Sequence, residues 1–160
     1  MEDLLNKESV KRVLKVLNDF DQSIKVQNLD TTARTAKDAA ESLKTEIGSI
    51  VKSLLLRRQS SFLLCLVAGD KRCSLNKVKK LLNEKDVSMA NADQVKEITG
   101  FTIGGVSPVG HLNKVKIYID TNLERFKTVF AAAGHPNCVF KIEFNQLTKL
   151  TSGEIKEITE

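Results

Sequence analysis

A glycine-rich segment and one lysine are the residues of this chain whose types and spacing best suit chemistry. Residues 100–110 have the sequence GFTIGGVSPVG, and Lys52 lies well upstream in the apolar stretch VKSLLL. Adjacent glycines let a backbone approach a ligand without Cβ atoms in the way, and Pro108 stiffens the loop. The main-chain N–H groups of such a loop can bind a carbonyl or phosphate oxygen.

The same residues also have ordinary structural explanations. A lysine among apolar residues usually directs its ammonium to solvent from the outer face of a strand, and the pair Gly104-Gly105 is typical of a tight turn. Ser107 is not predicted to be a nucleophile, because GVSPV differs from the G-x-S-x-G elbow. The residues by themselves leave both explanations open.

Composition predicts one ordinary globular domain in a reducing compartment. The chain has 160 residues, of which 41% are hydrophobic, and this is enough for a substantial core. Its three cysteines, Cys65, Cys73 and Cys138, form no CxxC pair, which favours reduced thiols over a disulfide framework. No metal site is predicted, because His111 and His135 are not at ligand spacing from any cysteine.

The charge balance and the apolar runs limit the partners and the location. The formal net charge is +5, and basic residues cluster at Arg57-Arg58, at Lys71-Arg72, and at Lys77, Lys79 and Lys80. Charge alone leaves open a polyanionic partner such as nucleic acid or a solvated lysine-rich surface. No membrane association is predicted, since the longest strongly apolar run, residues 62–68, cannot cross a bilayer. The N-terminus lacks a signal-peptide pattern, which predicts a cytoplasmic location.

Periodicity and capping residues predict an α/β fold with a mixed β-sheet surrounded by helices. Helices are predicted at residues 10–20, with Ser9 as the cap, and at residues 36–43, where Thr35 with Asp38 resembles a capping box. Further helices are predicted after Ser74, from the Asn91/Gln94 cap to Gly100, and at residues 144–150. Strands are predicted at 23–29, 50–56, 62–68, 115–119 and 138–142. The apolarity of 50–56 and 62–68 predicts a sheet covered on both faces.

Four segments together resemble a known family. They are DTTARTAKDAAESL, VKSLLL around Lys52, TGFTIGGVSPVGH at 99–111, and AAAGHPNCVFKI at 131–142. In order and spacing they resemble the YbaK/prolyl-tRNA-synthetase-associated domain family, whose members are editing deacylases of mischarged aminoacyl-tRNA. The resemblance implies a single domain over residues 1–160. It also implies a free-standing member, because no synthetase catalytic segments are present.

The resemblance assigns catalytic roles to Lys52 and to the loop from Gly104 to Pro108. In the family the lysine is thought to hold the terminal adenosine of the tRNA and its phosphate. The loop amides, here those of Gly105, Val106 and Ser107, would polarise the ester carbonyl. Water would then attack with help from a hydroxyl of the terminal ribose, without a dedicated protein base, a metal or a cofactor. Positioning and oxyanion stabilisation can suffice for such a labile ester.

Four further residues are candidates for contact with the substrate. Thr99 and Phe101 flank the loop, although Phe101 is equally well explained as core. His135 corresponds loosely to a histidine that shapes the amino-acid pocket in some members, so substrate contact and a plain loop role both remain open. His111 directly follows the glycine loop and is the weaker candidate.

Two functions follow from the resemblance. The first is a trans-editing hydrolase acting on tRNA for proline that carries a small non-cognate amino acid. Such a second sieve is needed where a synthetase discriminates poorly between small side chains. The alternative is a non-catalytic tRNA- or synthetase-binding module, although the intact Lys52 and Gly104-x-x-x-Pro108 pattern favours the enzyme. Aminoacyl-tRNA is the expected partner and prolyl-tRNA synthetase a further candidate. The amino acid removed, the reader of tRNA identity and the oligomeric state remain open.

Overall fold

Two β-sheets form the framework of the protein in a computed structural model that describes residues 4–29 and 35–160. The strands are β1 (Val26–Asn28), β2 (Val51–Arg58), β3 (Ser61–Ala68), β4 (Val87–Met89), β5 (Lys116–Asp120), β6 (Thr128–His135), β7 (Cys138–Glu143) and β8 (Glu154–Lys156). A five-stranded sheet has the order β4-β2-β3-β5-β8, and a three-stranded sheet has the order β1-β7-β6. The larger sheet is mixed, because β3–β5 and β5–β8 are parallel whereas β2–β3 and β2–β4 are antiparallel. The predicted α/β fold with a mixed sheet is confirmed, and the second, antiparallel sheet is an addition to it.

The hairpin of β2 and β3 lies at the centre of the larger sheet and is covered on both faces. Leu64 and Leu66 of β3 join the main hydrophobic cluster between the sheets. The alternating residues Leu63, Cys65 and Val67 join a second cluster on the opposite face. Successive side chains of a strand point to opposite faces of the sheet. The β3 side chains on both faces are apolar because both faces of the sheet are buried here, as the sequence predicted.

Among the described residues, five α-helices pack around the sheets. They are α1 (Glu8–Phe20), α2 (Ala36–Leu43), α3 (Leu75–Leu82), α4 (Ala92–Thr99) and α5 (Phe144–Thr151). The predicted caps of α2, α3 and α4 are confirmed, since Thr35, Ser74 and Asn91 each accept a backbone hydrogen bond within the first turn. Gly100 ends α4 in the left-handed conformation, with φ of 80°. No helix in the described ranges is long and apolar enough to span a bilayer.

Several predicted boundaries are wrong for identifiable reasons. Ser9 does not cap α1, which begins at Glu8, because the Ser9 hydroxyl donates to the Gly134 carbonyl at 2.9 Å. The strand predicted from residue 23 begins only at Val26, because the Asp21 carboxylate accepts bonds from the Ser23 amide and hydroxyl in a turn.

Strands β4, β6 and β8 were not predicted from the sequence. The segment DTTARTAKDAAESL, which carries part of the family resemblance, lies only partly within the described residues. β6 is alanine-rich and ends in glycine and histidine, a composition with weak strand propensity. β4 and β8 have three residues each. Residues 30–34, the first part of the DTTARTAKDAAESL segment, lie outside the described residues.

The edge of β2 is only partly covered, and this leaves room for a site. β4 pairs with Leu56–Arg58 of β2, and the Ala90 amide donates to the Leu55 carbonyl at 3.0 Å. The preceding half of β2 instead faces β6 of the smaller sheet, next to a single bridge between Ile50 and Phe130. The space between the two sheets is therefore open at this edge.

Candidate functional site

A cavity of about 380 Å³ lies at the open edge of β2. β2, β6, the start of α2 and the loop that follows α4 surround it, and most of its lining residues are apolar, including Ala36, Ala39, Val51, Ala90, Ala131 and Val139. Thr35, Lys52 and Ser53 supply the polar side chains among the described lining residues. The cavity has the size of a site for a small molecule or for one end of a larger substrate.

The glycine loop forms one wall of this cavity, as its composition suggested. Gly104 has a φ of 95°, a left-handed conformation that favours glycine. Gly105 lies so close to β6 that an added Cβ would stand 3.0 Å from His135 Cα. The two glycines therefore serve different ends, a special backbone angle at Gly104 and close packing at Gly105.

The three amides expected to bind an oxygen are not equivalent. The Gly105 N–H already donates to the Thr102 carbonyl at 2.9 Å. Within residues 4–29 and 35–160, no acceptor pairs with the N–H of Val106 or of Ser107. Val106 lines the cavity, and Ser107 follows it in a buried position. Two adjacent main-chain donors, the first of them in a residue that lines the cavity, therefore have no partner among the described residues.

An arginine that sequence reasoning did not single out holds both ends of the loop. Arg12 of α1 donates to the carbonyl of Gly100 at 3.0 Å and to that of Gly110 at 3.1 Å. Its guanidinium also lies over the Phe101 ring, 5.0 Å from the centroid. Nothing in the sequence marks Arg12, because its partners are main-chain carbonyls almost a hundred residues away in the chain.

Thr99, Phe101 and His111 lie behind the loop and not along the cavity lining. Thr99 is fully buried; its hydroxyl donates to the Val95 carbonyl at 2.6 Å and accepts from the Phe101 amide at 3.1 Å. The Phe101 ring is 1% exposed and meets the His111 ring edge-on at 5.9 Å.

His111 supports the loop from the same side. Its Nε2 lies 2.7 Å from the Ser107 carbonyl, so this nitrogen carries the proton and donates it. Burial lowers the pKa of His111, only partly offset by the hydrogen bond to Ser107. Pro108, the last residue of the loop, is also buried. These contacts support the shape of the loop.

His135 stands at the end of β6, against Gly105. Its Nδ1 accepts from the Asn137 amide at 3.1 Å, a bond that shapes the turn into β7. The next residue, Pro136, lines the cavity. The structure thus brings the GHPN segment to the site, with the proline at the lining and the histidine against the loop.

Lys52 borders the cavity and a second space next to it. That second space is an open groove of about 510 Å³ lined by Lys52, Leu54, Met89, Leu75 and the turn Gly69–Cys73, hereafter the 69–73 turn. The Lys52 Nζ donates to the Lys71 carbonyl of this turn. Burial lowers the pKa of Lys52, and the nearby Asp70 carboxylate offsets part of this effect. The ammonium is therefore held at a defined place, between an apolar cavity and a basic groove.

The 69–73 turn is itself anchored. Asp70 accepts two hydrogen bonds from Arg125, at 2.9 and 2.6 Å, and the contact lowers the pKa of Asp70. The Glu160 amide donates to the Arg72 carbonyl at 3.0 Å. The described residues contain no group of three or more histidine, cysteine or acidic side chains that could hold a metal ion.

Comparison with known proteins identifies the family to which this domain belongs. The family model of the aminoacyl-tRNA editing domain matches residues 30–150. The chain therefore belongs to the aminoacyl-tRNA editing domain family, as the sequence motifs predicted.

A solved structure shares the fold over nearly the whole chain, and two curated relatives match most of its sequence. A solved structure described as "Crystal structure of a putative trans-editing enzyme for prolyl tRNA synthetase" is 35% identical, with a TM-score of 0.91 over 96% of this chain and 98% of that one. The "Uncharacterized protein YwhH" of Bacillus subtilis is 29% identical over 92% of this chain and 94% of its own length. The "Putative Cys-tRNA(Pro)/Cys-tRNA(Cys) deacylase EbsC" of Enterococcus faecalis is 26% identical over 78% of this chain and 77% of its own length.

Proposed function

We propose that this chain is a trans-editing deacylase that hydrolyses the ester of mischarged tRNA for proline carrying a small non-cognate amino acid. The observation that carries the proposal is that the adjacent amides of Val106 and Ser107 have no partner in the described part of the chain, where Val106 lines an apolar cavity with Lys52 at its border. Membership of the editing family and the similarity to structures and proteins described as editing enzymes for prolyl-tRNA support it.

In the proposed reaction the amino acid enters the cavity and its ester carbonyl meets the two amides. Water attacks the carbonyl carbon, and the amides stabilise the negative oxygen that develops there. The bond between the carbonyl carbon and the ribose oxygen then breaks. The ribose oxygen leaves with a proton from the attacking water, and free amino acid and tRNA are released.

Lys52 has a positioning role in this mechanism. Its ammonium lies beside the groove that also carries Lys71 and Arg72, so the terminal phosphate of the tRNA can bind there while the ester reaches the loop. Fixing the ester at the amides supplies much of the acceleration, because a misplacement of about 1 Å costs on the order of 10²-fold in rate. The apolar lining of the cavity excludes substrates whose amino acid has a charged side chain, because burying a charge without a partner is costly.

The test is hydrolysis of tRNA for proline charged in turn with alanine, cysteine, serine, threonine and proline. The wild-type protein is expected to hydrolyse at least one non-cognate ester faster than the prolyl ester. Lys52→Ala is expected to lose about 10- to 100-fold of that rate. Lys149→Ala removes an exposed lysine of α5 away from the cavity and should leave the rate unchanged.

Two results would overturn the proposal or its mechanism. Salt-dependent tRNA binding without cleavage of any ester would identify a non-catalytic binding module. Equal rates for wild type and Lys52→Ala would remove Lys52 from the mechanism.

A further inference from the structure

The 69–73 turn ends in a cysteine that faces the groove beside Lys52. Cys73 lines this groove together with Lys52, Lys71 and Arg72, and its side chain is partly exposed. A small solute in the groove can therefore reach its sulfur. The proposed hydrolysis makes no use of this thiol.

A second cysteine lies on the face of the sheet that carries the groove, in the cluster against which Cys73 packs. In the β2–β3 register, Cys65 is opposite Leu54, and Leu54 itself lines the groove. Cys65 is fully buried in the cluster of apolar side chains on this face of the sheet, against which Cys73 packs. The third cysteine, Cys138, is buried on β7 in a different cluster, between the two sheets.

The two thiols interact and are electrostatically unequal. A hydrogen bond from Cys65 lowers the pKa of Cys73, whereas burial and the charge of the Asp120 carboxylate raise it; the charge of Lys52 lowers it by a smaller amount, and that of Glu160 raises it slightly. The same hydrogen bond, with burial, raises the pKa of Cys65. Cys73 is thus the more reactive sulfur, since thiolate character and exposure govern oxidation.

We propose that Cys73 is an oxidation site for hydroperoxides and that Cys65 resolves the oxidised product into a reversible disulfide. In the first step the Cys73 thiolate attacks a peroxide oxygen. An S–O bond forms, the O–O bond breaks, and the peroxide is reduced to an alcohol or water. Cys73 becomes a sulfenic acid.

In the second step Cys65 attacks the Cys73 sulfur. The S–S bond forms as the S–O bond breaks, and the departing hydroxide takes the Cys65 proton and leaves as water. Oxidation of Cys73 removes the hydrogen bond to its thiolate, which is the largest cause of the raised pKa of Cys65, while burial continues to raise that pKa.

The disulfide has a consequence for the site, and this part rests on the proposed function. Cys73 ends the turn whose Lys71 carbonyl accepts the Lys52 ammonium. Joining Cys73 to β3 pulls this turn toward the sheet and moves the carbonyl, so Lys52 loses its position. Oxidation is then expected to lower hydrolysis about tenfold or more, and a dithiol reductant is expected to restore it.

The first measurement needs no activity. The purified protein is treated with hydrogen peroxide, its remaining thiols are blocked, and it is analysed by intact mass and peptide mapping. The expected result is a protein that takes up one blocking group instead of three and has lost about 2 Da to the disulfide, with residues 65 and 73 joined in one cross-linked peptide pair. The Cys138→Ser variant is the matched control and should form the same disulfide.

Two variants separate the steps. Cys65→Ala removes the resolving thiol and also its hydrogen bond to Cys73. The sulfenic acid at Cys73 should therefore form more slowly but persist, so that a 1,3-diketone reagent traps it. Cys73→Ser should form no disulfide, and peroxide should not change whatever activity this variant has before treatment. A wild-type protein with both thiols still reduced after peroxide, or a disulfide that includes Cys138, would overturn the proposal. If the disulfide forms in a protein without deacylase activity, the proposed function fails and the oxidation site stands. Full activity in the disulfide form would overturn the link to Lys52.

Discussion

Gly105→Ala tests the contact between the glycine loop and β6. An added Cβ would lie 3.0, 3.1 and 3.2 Å from the Cα, N and C atoms of His135. All three are main-chain atoms of a paired strand, so they cannot swing aside like the tip of a flexible side chain. The loop must therefore move away from β6.

The size of the effect follows from these distances. Reaching an ordinary carbon contact of about 3.5 Å requires a shift of about 0.4 Å. A displacement of about 1 Å typically costs 10²-fold in rate, so a shift of this size is expected to lower kcat/KM about five- to tenfold. Overpacking of this kind costs about 1–3 kcal/mol of folding free energy. For a chain of this length that is a fall in Tm of about 2–12 °C.

Single-turnover hydrolysis and thermal unfolding are measured on the same preparations. Leu112→Ala is the control, because Leu112 is 58% exposed just after the same loop and does not line the cavity. It is expected to leave the rate unchanged. A Gly105→Ala protein with wild-type rate and Tm would refute the close packing of the loop on β6 and its part in positioning the ester.

Three further predictions concern the support behind the loop. Thr99→Val keeps the shape of the side chain but leaves the Phe101 amide without its acceptor. The free energy of unfolding, measured by chemical denaturation, should fall by about 1–3 kcal/mol while kcat/KM changes less than twofold. A large rate loss at full stability would instead indicate substrate contact. Burial lowers the pKa of His111, so the unfolded chain binds this proton more readily, and stability should fall as the pH drops below about 6.5. The dependence of Tm on pH between about 7.5 and 5 should be shallower in His111→Phe, and equal slopes would contradict this. Arg12→Met removes two bonds to loop carbonyls and should lower both stability, by about 1–3 kcal/mol, and the rate; an unchanged rate at lowered stability would show that the loop keeps its shape without Arg12.

Features that depend on neighbours in the chain could be predicted from the sequence. The caps at Thr35, Ser74 and Asn91 each act on a backbone group three residues away, so residue types in a short window are sufficient. The same holds for Gly100 at the end of α4. The family motifs also predicted the glycine loop and Lys52 as parts of one site, and the structure places both at one cavity.

Features that depend on main-chain partners from distant segments could not be predicted. Arg12 holds the loop through two carbonyls, and Lys52 donates to the carbonyl of Lys71. A carbonyl is present at every residue, so no residue type signals such a contact. The hydrogen bond of the Gly105 amide is local, to the Thr102 carbonyl three residues earlier, but it too joins main-chain groups that no residue type signals: the motif indicated three donors, whereas the folded turn uses one of them internally.

The assignment of the ester carbonyl to two particular amides is the central claim, and NMR tests it most directly. The ¹⁵N-labelled protein is titrated with an aminoacyl-adenosine analogue in which a stable amide replaces the ester. The amide protons of Val106 and Ser107 are expected to move downfield on binding, while that of Gly105, already bonded to Thr102, changes little. Saturable binding that leaves the Val106 and Ser107 signals in place, or that shifts Gly105 instead, would contradict the account.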